Sequence, residues 1–294
     1  MSFSPRFSLG KIHIKGRVSQ MFKNFRTRDQ IASIGNPIVF DVRFKMDNPT
    51  YGLKAYEEKH YKGSVYLDLT HDLSAIIKEH GGRHPLPMKK DLQETLRKAG
   101  LNNHQPVLIY DDADNVAAGR LWWLLKYYGV DEVYVLLGGF SQFKEEDLTS
   151  DLEGCIPGDI NLLERDNMVV DHEIIRNLSK SMDYSNVQLV DSRDEQRYLG
   201  IIEPIDKKKG HIPGASNIPY KVHFTENWDL KSKEILARNF KNLNTEKETI
   251  FYCGSGVTAC SNIMVYDELG LSSKLYPGSF SDYISYDDNQ VVVK

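Results

Sequence analysis

Short apolar runs alternate along this chain with stretches in which apolar residues recur at helical spacing. The runs at Val187–Val190 and Thr249–Tyr252 are almost continuously apolar, which is typical of strands buried on both faces of a parallel sheet. This alternation predicts an α/β fold with a parallel sheet flanked by helices on both faces. The helical spacing is seen at Ile174, Leu178, Ile235, Leu236, Phe240 and Leu243.

One series of motifs occurs twice, in the same order and at similar separations. The chain is therefore expected to consist of two copies of one domain. The first half contains Ile38–Arg43, His60–Val65, Val107–Asp111 and Leu137–Phe143. The second half contains Gln188–Arg193, His211–Ser216, Ile250–Cys253 and Pro277–Tyr283.

A segment without regular periodicity joins the two copies. From Lys144 to Asp166 the chain is acidic and contains Gly and Pro, a composition that indicates a linker. We predict a first domain over residues 1–147, a linker over residues 148–166 and a second domain over residues 167–294.

Composition limits the classes of function. Of the 294 residues, 40% are hydrophobic and 27% are charged, which is typical of a globular protein with a sizeable core. The net charge of −4 gives no reason to expect nucleic acid or an anionic membrane as a partner. No apolar run approaches the ~20 residues of a membrane-spanning helix, and no cofactor motif is present.

The N-terminal segment is basic. The first 28 residues hold seven Lys or Arg and no acid, as a transit peptide would. However, Ile12–Ile14 predicts a strand, and Val18, Met21, Phe22 and Phe25 predict the apolar face of a helix. This leaves about ten residues ahead of the folded domain, fewer than a typical targeting segment needs. We therefore expect the protein in the cytoplasm.

Cys253 lies in the most informative segment, Tyr-Cys-Gly-Ser-Gly-Val-Thr-Ala-Cys at 252–260. A strand ends at Cys253, Gly254 and Gly256 permit a tight turn, and a helix begins near Ala259. Backbone N–H groups that converge at a helix N-terminus stabilise an anion, so Cys253 should have a lowered pKa and be largely a thiolate. A small buried cysteine at an ordinary turn is the alternative, but the surrounding Gly, Ser and Thr favour a nucleophile.

The other two cysteines have no such setting. Cys260 lies further along the same helix and is predicted to belong to the core, and Cys155 lies in the predicted linker. Three cysteines do not make a disulfide framework in a chain of this length. No paired Cys/His spacing indicates zinc, so no metal is expected.

The corresponding loop of the first copy is Tyr-Asp-Asp-Ala-Asp-Asn at 110–115. Asp111 replaces the cysteine and the glycines are missing, so this copy is predicted to lack a nucleophile and to be structural or to form a wall of the cleft. Asp111, Asp112 and Asp114 do not have the spaced Gly and Glu of a calcium loop. A solvated loop is expected here. Trp122 and Trp123 follow in a helical pattern that predicts core or interface packing.

The duplication, the His-Ile-Pro-Gly-Ala motif at 211–215 and the loop at 253–258 resemble the tandem-domain rhodanese family of sulfurtransferases, most closely its mercaptopyruvate-using type. The resemblance covers nearly the whole chain. It implies two rhodanese-like domains, each with a parallel sheet of about five strands, of which only the second is catalytic. It also implies that Cys253 carries the transferred sulfur as a persulfide.

The resemblance also concerns the sulfur donor. Thiosulfate-using members carry basic residues directly after the cysteine, where this chain has Gly254 and Ser255. A mercaptopyruvate carboxylate is instead expected at Arg197, whose planar fork suits it, although a surface salt bridge is the alternative for this arginine. Lys207 is the nearest candidate for a second basic residue, but a lysine does not provide a bidentate fork. The loop positions expected to bind substrate are Gly254, Gly256, Val257 and Thr258.

A histidine of the first copy is implied as well. The Gly-Gly-Arg-His-Pro-Leu-Pro segment resembles the family segment that brings a histidine into the interdomain cleft, so His84 is expected to transfer protons with Ser255. An exposed loop histidine without a role is the alternative. The family relay also has an acid. Thr70 takes its position here, with Asp68 and Asp72 nearby, so a complete relay is not predicted.

We therefore predict a sulfurtransferase that moves sulfur from 3-mercaptopyruvate, with release of pyruvate, through Cys253 to a thiol such as thioredoxin, or to cyanide. A thiosulfate sulfurtransferase with the same nucleophile is the first alternative. A non-catalytic persulfide carrier or redox sensor is the second. A cysteine phosphatase is not favoured, because it needs an arginine at the end of the loop, where this chain has Ala259.

Overall fold

A computed structural model describes residues 21–294. The predicted strand Ile12–Ile14 and position Val18 of the predicted helix lie outside these residues. The described part of that helix prediction is wrong, because Phe25 is fully buried in strand β1 (Phe25–Arg26), which pairs in parallel with a later strand. Across the described residues, no helix is long and apolar enough to span a membrane.

The first domain is built on a five-stranded parallel sheet with the order β1-β6-β5-β2-β4. Strands β3 and β7 form a separate antiparallel pair, so the start of the predicted linker pairs with the first domain. The strands that follow β1 are β2 (Ile38–Asp41), β3 (His60–Tyr61), β4 (Ser64–Tyr66), β5 (Val107–Tyr110), β6 (Val133–Leu136) and β7 (Leu148–Thr149). The helices are α1 (Tyr51–Glu58), α2 (Lys89–Lys98) and α3 (Val116–Tyr127), with 3-10 turns at Arg28–Ile34, Gly139–Gln142 and Glu145–Asp147.

The second domain repeats this arrangement. Its strands are β8 (Val187–Asp191), β9 (Ser216–Asn217), β10 (Glu248–Tyr252) and β11 (Lys274–Leu275), in the parallel order β11-β10-β8-β9. A parallel bridge from Val169 to Leu275 takes the fifth position, which β1 holds in the first sheet. The helices are α4 (His172–Ser181), α5 (Glu195–Tyr198), α6 (Lys233–Asn239), α7 (Thr258–Glu268) and α8 (Ser279–Tyr283), with a 3-10 turn at Tyr220–His223. The predicted fold class and duplication are confirmed.

One buried ion pair appears at the same place in both sheets. At the end of β2, Arg43 donates to Asp41 at 2.6 Å, and at the end of β8, Arg193 donates to Asp191 at the same distance. All four side chains are almost fully buried. A buried ion pair persists only with good geometry and further hydrogen bonds, and here each arginine also bonds a backbone carbonyl.

The two domains share one continuous apolar core, in which α3 packs against α7. A Cβ atom on Gly119 of α3 would come 2.6 Å from the hydroxyl of Ser261 of α7, so the helices approach closely at this glycine. Trp122 and Trp123 are buried on α3, as predicted. Because α3 and α7 each begin at the loop after the central strand of their sheet, this packing brings the two loops together.

Candidate active site between the two domains

Cys253 lies at the carboxyl end of β10, in the loop that leads into α7, and is 2% exposed. The N–H of Gly256 donates to its Sγ atom at 3.2 Å. Gly256 has a φ of +76°, and a Cβ atom there would come 2.2 Å from the carbonyl oxygen of Pro277. A side chain at position 256 is therefore excluded by both conformation and space.

The environment of Cys253 favours the thiolate. Burial alone would raise the pKa of this thiol, but hydrogen bonds from the Thr258 side chain and from the N–H groups of Ala259, Ser255 and Val257 hold it below its ordinary value. Each of these donors bonds better to a negatively charged sulfur than to a neutral one. The loop therefore produces the lowered pKa that its sequence predicts.

The remaining thiols behave differently. Burial raises the pKa of Cys260 to about 12, and its Sγ lies 3.2 Å from the carbonyl oxygen of Gly256. Cys260 is thus a neutral core thiol, as predicted. Cys155 is exposed.

A small cavity of about 60 Å³ opens beside Cys253. The first domain contributes Arg83, His84 and Met46 to its lining, and the second contributes Arg197. Most of the Cys253 loop also lines it, whereas Gly256 does not. The cavity is therefore formed by both copies of the domain, and Gly256 contacts Cys253 through its backbone N–H without lining the cavity.

His84 is in the cleft and faces Ser255. Its Nδ1 atom lies 2.8 Å from the Ser255 hydroxyl oxygen. Burial, with the positive charges of Arg120 and Arg83, lowers the pKa of His84 to about 4. At neutral pH the imidazole is therefore uncharged, and a neutral ring nitrogen can accept the serine proton.

The two carboxylates near Thr70, the position of the family's acid, have other partners. Asp68 accepts hydrogen bonds from the backbone N–H groups of Thr70 and His71, and Asp72 accepts one from the N–H of Asp68. Within residues 21–294, no hydrogen bond or ion pair joins His84 to a carboxylate. In the described part of the chain, the Ser255–His84 pair thus has no acid partner.

Arg197 and Arg83 lie over the start of the loop. A Cβ atom placed on Gly254 would be 2.9 Å from Nη2 of Arg83 and 3.4 Å from Nη2 of Arg197. Arg197 lies 2.8 Å from both Glu203 and Asp206, and Arg83 pairs with the other oxygen of Asp206. Arg197 therefore forms salt bridges, the alternative considered for it, although its partners are buried and not on the surface.

Lys207 is not brought to the cavity. Its side chain is exposed, and it does not line the site. The cavity instead has a second basic residue that sequence reasoning did not select, Arg83. The only signal available in the sequence was its position directly before His84.

Arg120 is a second functional candidate that sequence reasoning missed. It is fully buried on α3, and its guanidinium donates to the carbonyl oxygens of Gly256 at 3.0 Å and His84 at 3.1 Å. No carboxylate pairs with it among the described residues. Arg120 thus connects the Cys253 loop to the His84 segment and places a positive charge beneath both. An arginine within the otherwise apolar residues 116–125 was the signal for it.

The first-copy loop is not solvated as expected. Asp111 is 2% exposed, and its carboxylate accepts hydrogen bonds from the N–H groups of Ala113, Asn115 and Ala118 at 2.9, 3.4 and 3.2 Å. Burial raises the pKa of Asp111 well above its ordinary value, with Asp114 acting in the same direction. Asp111 is buried and not solvated because the converging N–H groups at the start of α3 need an acceptor. Within residues 21–294, no group of three or more His, Cys, Asp or Glu could hold a metal.

The chain is similar to known proteins of one family. Residues 27–146 and 175–286 each match the family model of the rhodanese-like domain, and the chain belongs to this family. It is 35% identical to the "Probable 3-mercaptopyruvate sulfurtransferase" of Pseudomonas aeruginosa, over 84% of this chain and 89% of that protein. It is 29% identical to the thiosulfate sulfurtransferase of Cricetulus griseus, over 83% and 84% of the two chains. The structure of the 3-mercaptopyruvate sulfurtransferase from Leishmania major superposes with a TM-score of 0.76 at 28% identity, over 89% of this chain and 74% of that one.

Proposed function

We propose that the protein is a sulfurtransferase that takes sulfur from 3-mercaptopyruvate onto Cys253 and passes it to a thiol. The observation that carries this choice of donor is the 2.8 Å contact between Ser255 and His84 beside Cys253. Thiosulfate releases sulfite, which leaves as a stable anion and needs no proton. Mercaptopyruvate releases the enolate of pyruvate, whose carbon must be protonated, so a proton-transferring pair serves this donor.

The first half-reaction balances within the site. The Cys253 thiolate attacks the donor sulfur, an S–S bond forms, and the C–S bond breaks as its electron pair passes to the enolate. The donor thiol supplies one proton and the enolate carbon takes up one, so Ser255 and His84 need only relay a proton between them. Cys253 is left as an anionic persulfide, which the N–H groups of the loop stabilise as an oxyanion hole stabilises oxygen.

In the second half-reaction, an acceptor thiolate attacks the outer sulfur and releases the Cys253 thiolate, which completes a ping-pong scheme. Thioredoxin or a small thiol is the proposed acceptor, and cyanide is a suitable test reagent. The second domain then carries the nucleophile, while the first contributes His84, Arg83 and Arg120 and has no nucleophile of its own. Substrate binding is assigned to Arg197, Arg83 and the loop positions that line the cavity.

The test compares pyruvate release from 3-mercaptopyruvate with turnover of thiosulfate, each with the same thiol acceptor. Cys253→Ser should abolish both activities, since neither donor can transfer sulfur without the thiolate. Ser255→Ala should lower the mercaptopyruvate activity by about 100-fold, the usual contribution of a proton-transfer group, and leave the thiosulfate activity within about twofold.

Cys155→Ser, which changes an exposed thiol, is the control for both donors and should behave as the wild type. Turnover of thiosulfate alone would overturn the proposed donor and favour the alternative sulfurtransferase. A chain that turns over neither donor would be a persulfide carrier or sensor.

A further inference from the structure

Asp206 holds the two arginines that face Cys253. One carboxylate oxygen lies 2.8 Å from Nη2 of Arg197, and the other pairs with Nη1 of Arg83, a residue of the other domain. The Asp206 side chain is only 1% exposed. A carboxylate bridging two guanidinium groups is the arrangement by which proteins bind carboxylate ligands.

This carboxylate lies next to the reactive sulfur. A Cβ atom on Gly254, the residue after Cys253, would be 3.6 Å from Oδ2 of Asp206. Two positive charges at this point are compensated by two buried negative charges, Asp206 and Glu203. The two arginines therefore attract an incoming anion only if one of the two carboxylates moves away from them.

Of the two acids, Asp206 is the one that can withdraw. Glu203 also pairs with Arg193, which is buried just after β8, and it accepts the N–H groups of Ile205 and Asp206. By contrast, within the described chain, the side chain of Asp206 has no partner besides the two arginines, and residues 204–209 form no helix or strand and no hydrogen bond between backbone groups. Segments with few such bonds open at low free-energy cost.

We propose that Asp206 is an internal occupant of the carboxylate site of this enzyme. A carboxylate ligand next to Cys253 displaces Asp206 from Arg83 and Arg197, and Asp206 thereby sets how strongly anionic sulfur donors bind. The inference rests on the proposed function insofar as it identifies that ligand as the carboxylate of the donor.

The test measures alkylation of Cys253 by iodoacetate, which carries a carboxylate, and by iodoacetamide, its neutral counterpart. Both reagents form the same S–C bond with loss of iodide, so the ratio of their rate constants cancels any change in the thiolate fraction. Reaction of the Cys253→Ser variant is subtracted to remove the contribution of the exposed Cys155. Asp206→Asn should raise the iodoacetate-to-iodoacetamide ratio by about tenfold or more, because two half-buried positive charges beside Cys253 lose one of their partners.

Asp47→Asn is the matched control, because Asp47 is exposed beside the cavity residue Met46; its ratio should stay within about twofold of wild type. Asp206→Ser repeats the test with a side chain too short to hold both arginines. In both Asp206 variants, KM for 3-mercaptopyruvate should fall.

An unchanged ratio in both Asp206 variants would overturn the inference, even if the wild type releases pyruvate rapidly. A raised ratio without pyruvate release by any variant would support Asp206 as the occupant of a carboxylate site and reject mercaptopyruvate as its ligand. The two proposals can therefore fail separately.

Discussion

The loops after β5 and β10 share one backbone geometry but hold different residues at its centre. In each, a central strand ends, backbone N–H groups converge, and one of the two interface helices begins. In the first loop the converging groups bond the carboxylate of Asp111, and in the second they bond the sulfur of Cys253. The difference teaches that the strand–loop–helix geometry creates a site for a hydrogen-bond acceptor, and that the residue placed in it decides whether the copy can react.

The two loops also differ in how they reach positive φ. In the first, Ala113 and Asn115 adopt φ values of 88° and 58°. In the second, the residue with positive φ is Gly256, which has no room for a side chain. Missing glycines therefore do not mean that the convergent loop is lost. They were an unreliable sign in the first copy because the hydrogen bonds to Asp111 stabilise the conformation there.

The largest effect is expected from making the second loop like the first. Cys253→Asp should lower sulfur transfer by at least about 1,000-fold, because a carboxylate cannot form the persulfide. The fold should persist, since the carboxylate can accept the same N–H groups. Steady-state turnover measures the first point and urea unfolding the second.

Cys253→Leu is the matched control, and it should be clearly less stable than Cys253→Asp because it leaves those N–H groups without an acceptor. Equal stability of the two variants would break the comparison.

An intermediate effect, on stability, is expected from removing the hydrogen-bond acceptor of the first loop. Asp111→Ala removes the acceptor of three backbone N–H groups and should lower the free energy of unfolding by about 2–4 kcal/mol. Urea denaturation at neutral pH measures it. Asp112→Ala in the same loop, where the side chain is exposed and accepts a hydrogen bond from Tyr51, should cost less than about 1 kcal/mol. A stable Asp111→Ala variant would show that the first loop does not need this hydrogen-bond acceptor.

The smallest effect concerns the charge that the first domain places beneath the second loop. Arg120→Met should raise the pKa of Cys253 by about half a unit to one unit, because a nearby positive charge favours the thiolate. Without the positive charge, the Cys253 thiol keeps its proton to a higher pH. The pH dependence of iodoacetamide alkylation should shift upward by that amount.

Leu124→Ala on the same helix is the control for this shift, because it loosens packing in α3 without changing the charge. Its alkylation midpoint should match that of the wild type. A midpoint that moves equally in both variants would assign Arg120 a purely structural role.

Much of this protein could be predicted from local patterns. The strands β8 and β10, the duplication and the lowered pKa of Cys253 follow from residues close together in the sequence, since apolar runs, glycine turns and helix starts act over a few positions. The resemblance to a family added the pairing of His84 with Ser255, which lie 171 residues apart. No local pattern could have joined those two residues.

The sequence alone thus determined the two-domain α/β organisation and which cysteine is the nucleophile candidate. The tertiary structure alone decided which charges surround it. Arg83 meets Asp206 across 123 residues, and Arg120 meets Gly256 across 136, so neither contact has a local signature. Phe25 shows the same limit, because its burial depends on pairing with a distant strand and not on its neighbours. Periodicity reports which face of an element is buried, whereas the partner of a buried charge is set by the packing of the two domains.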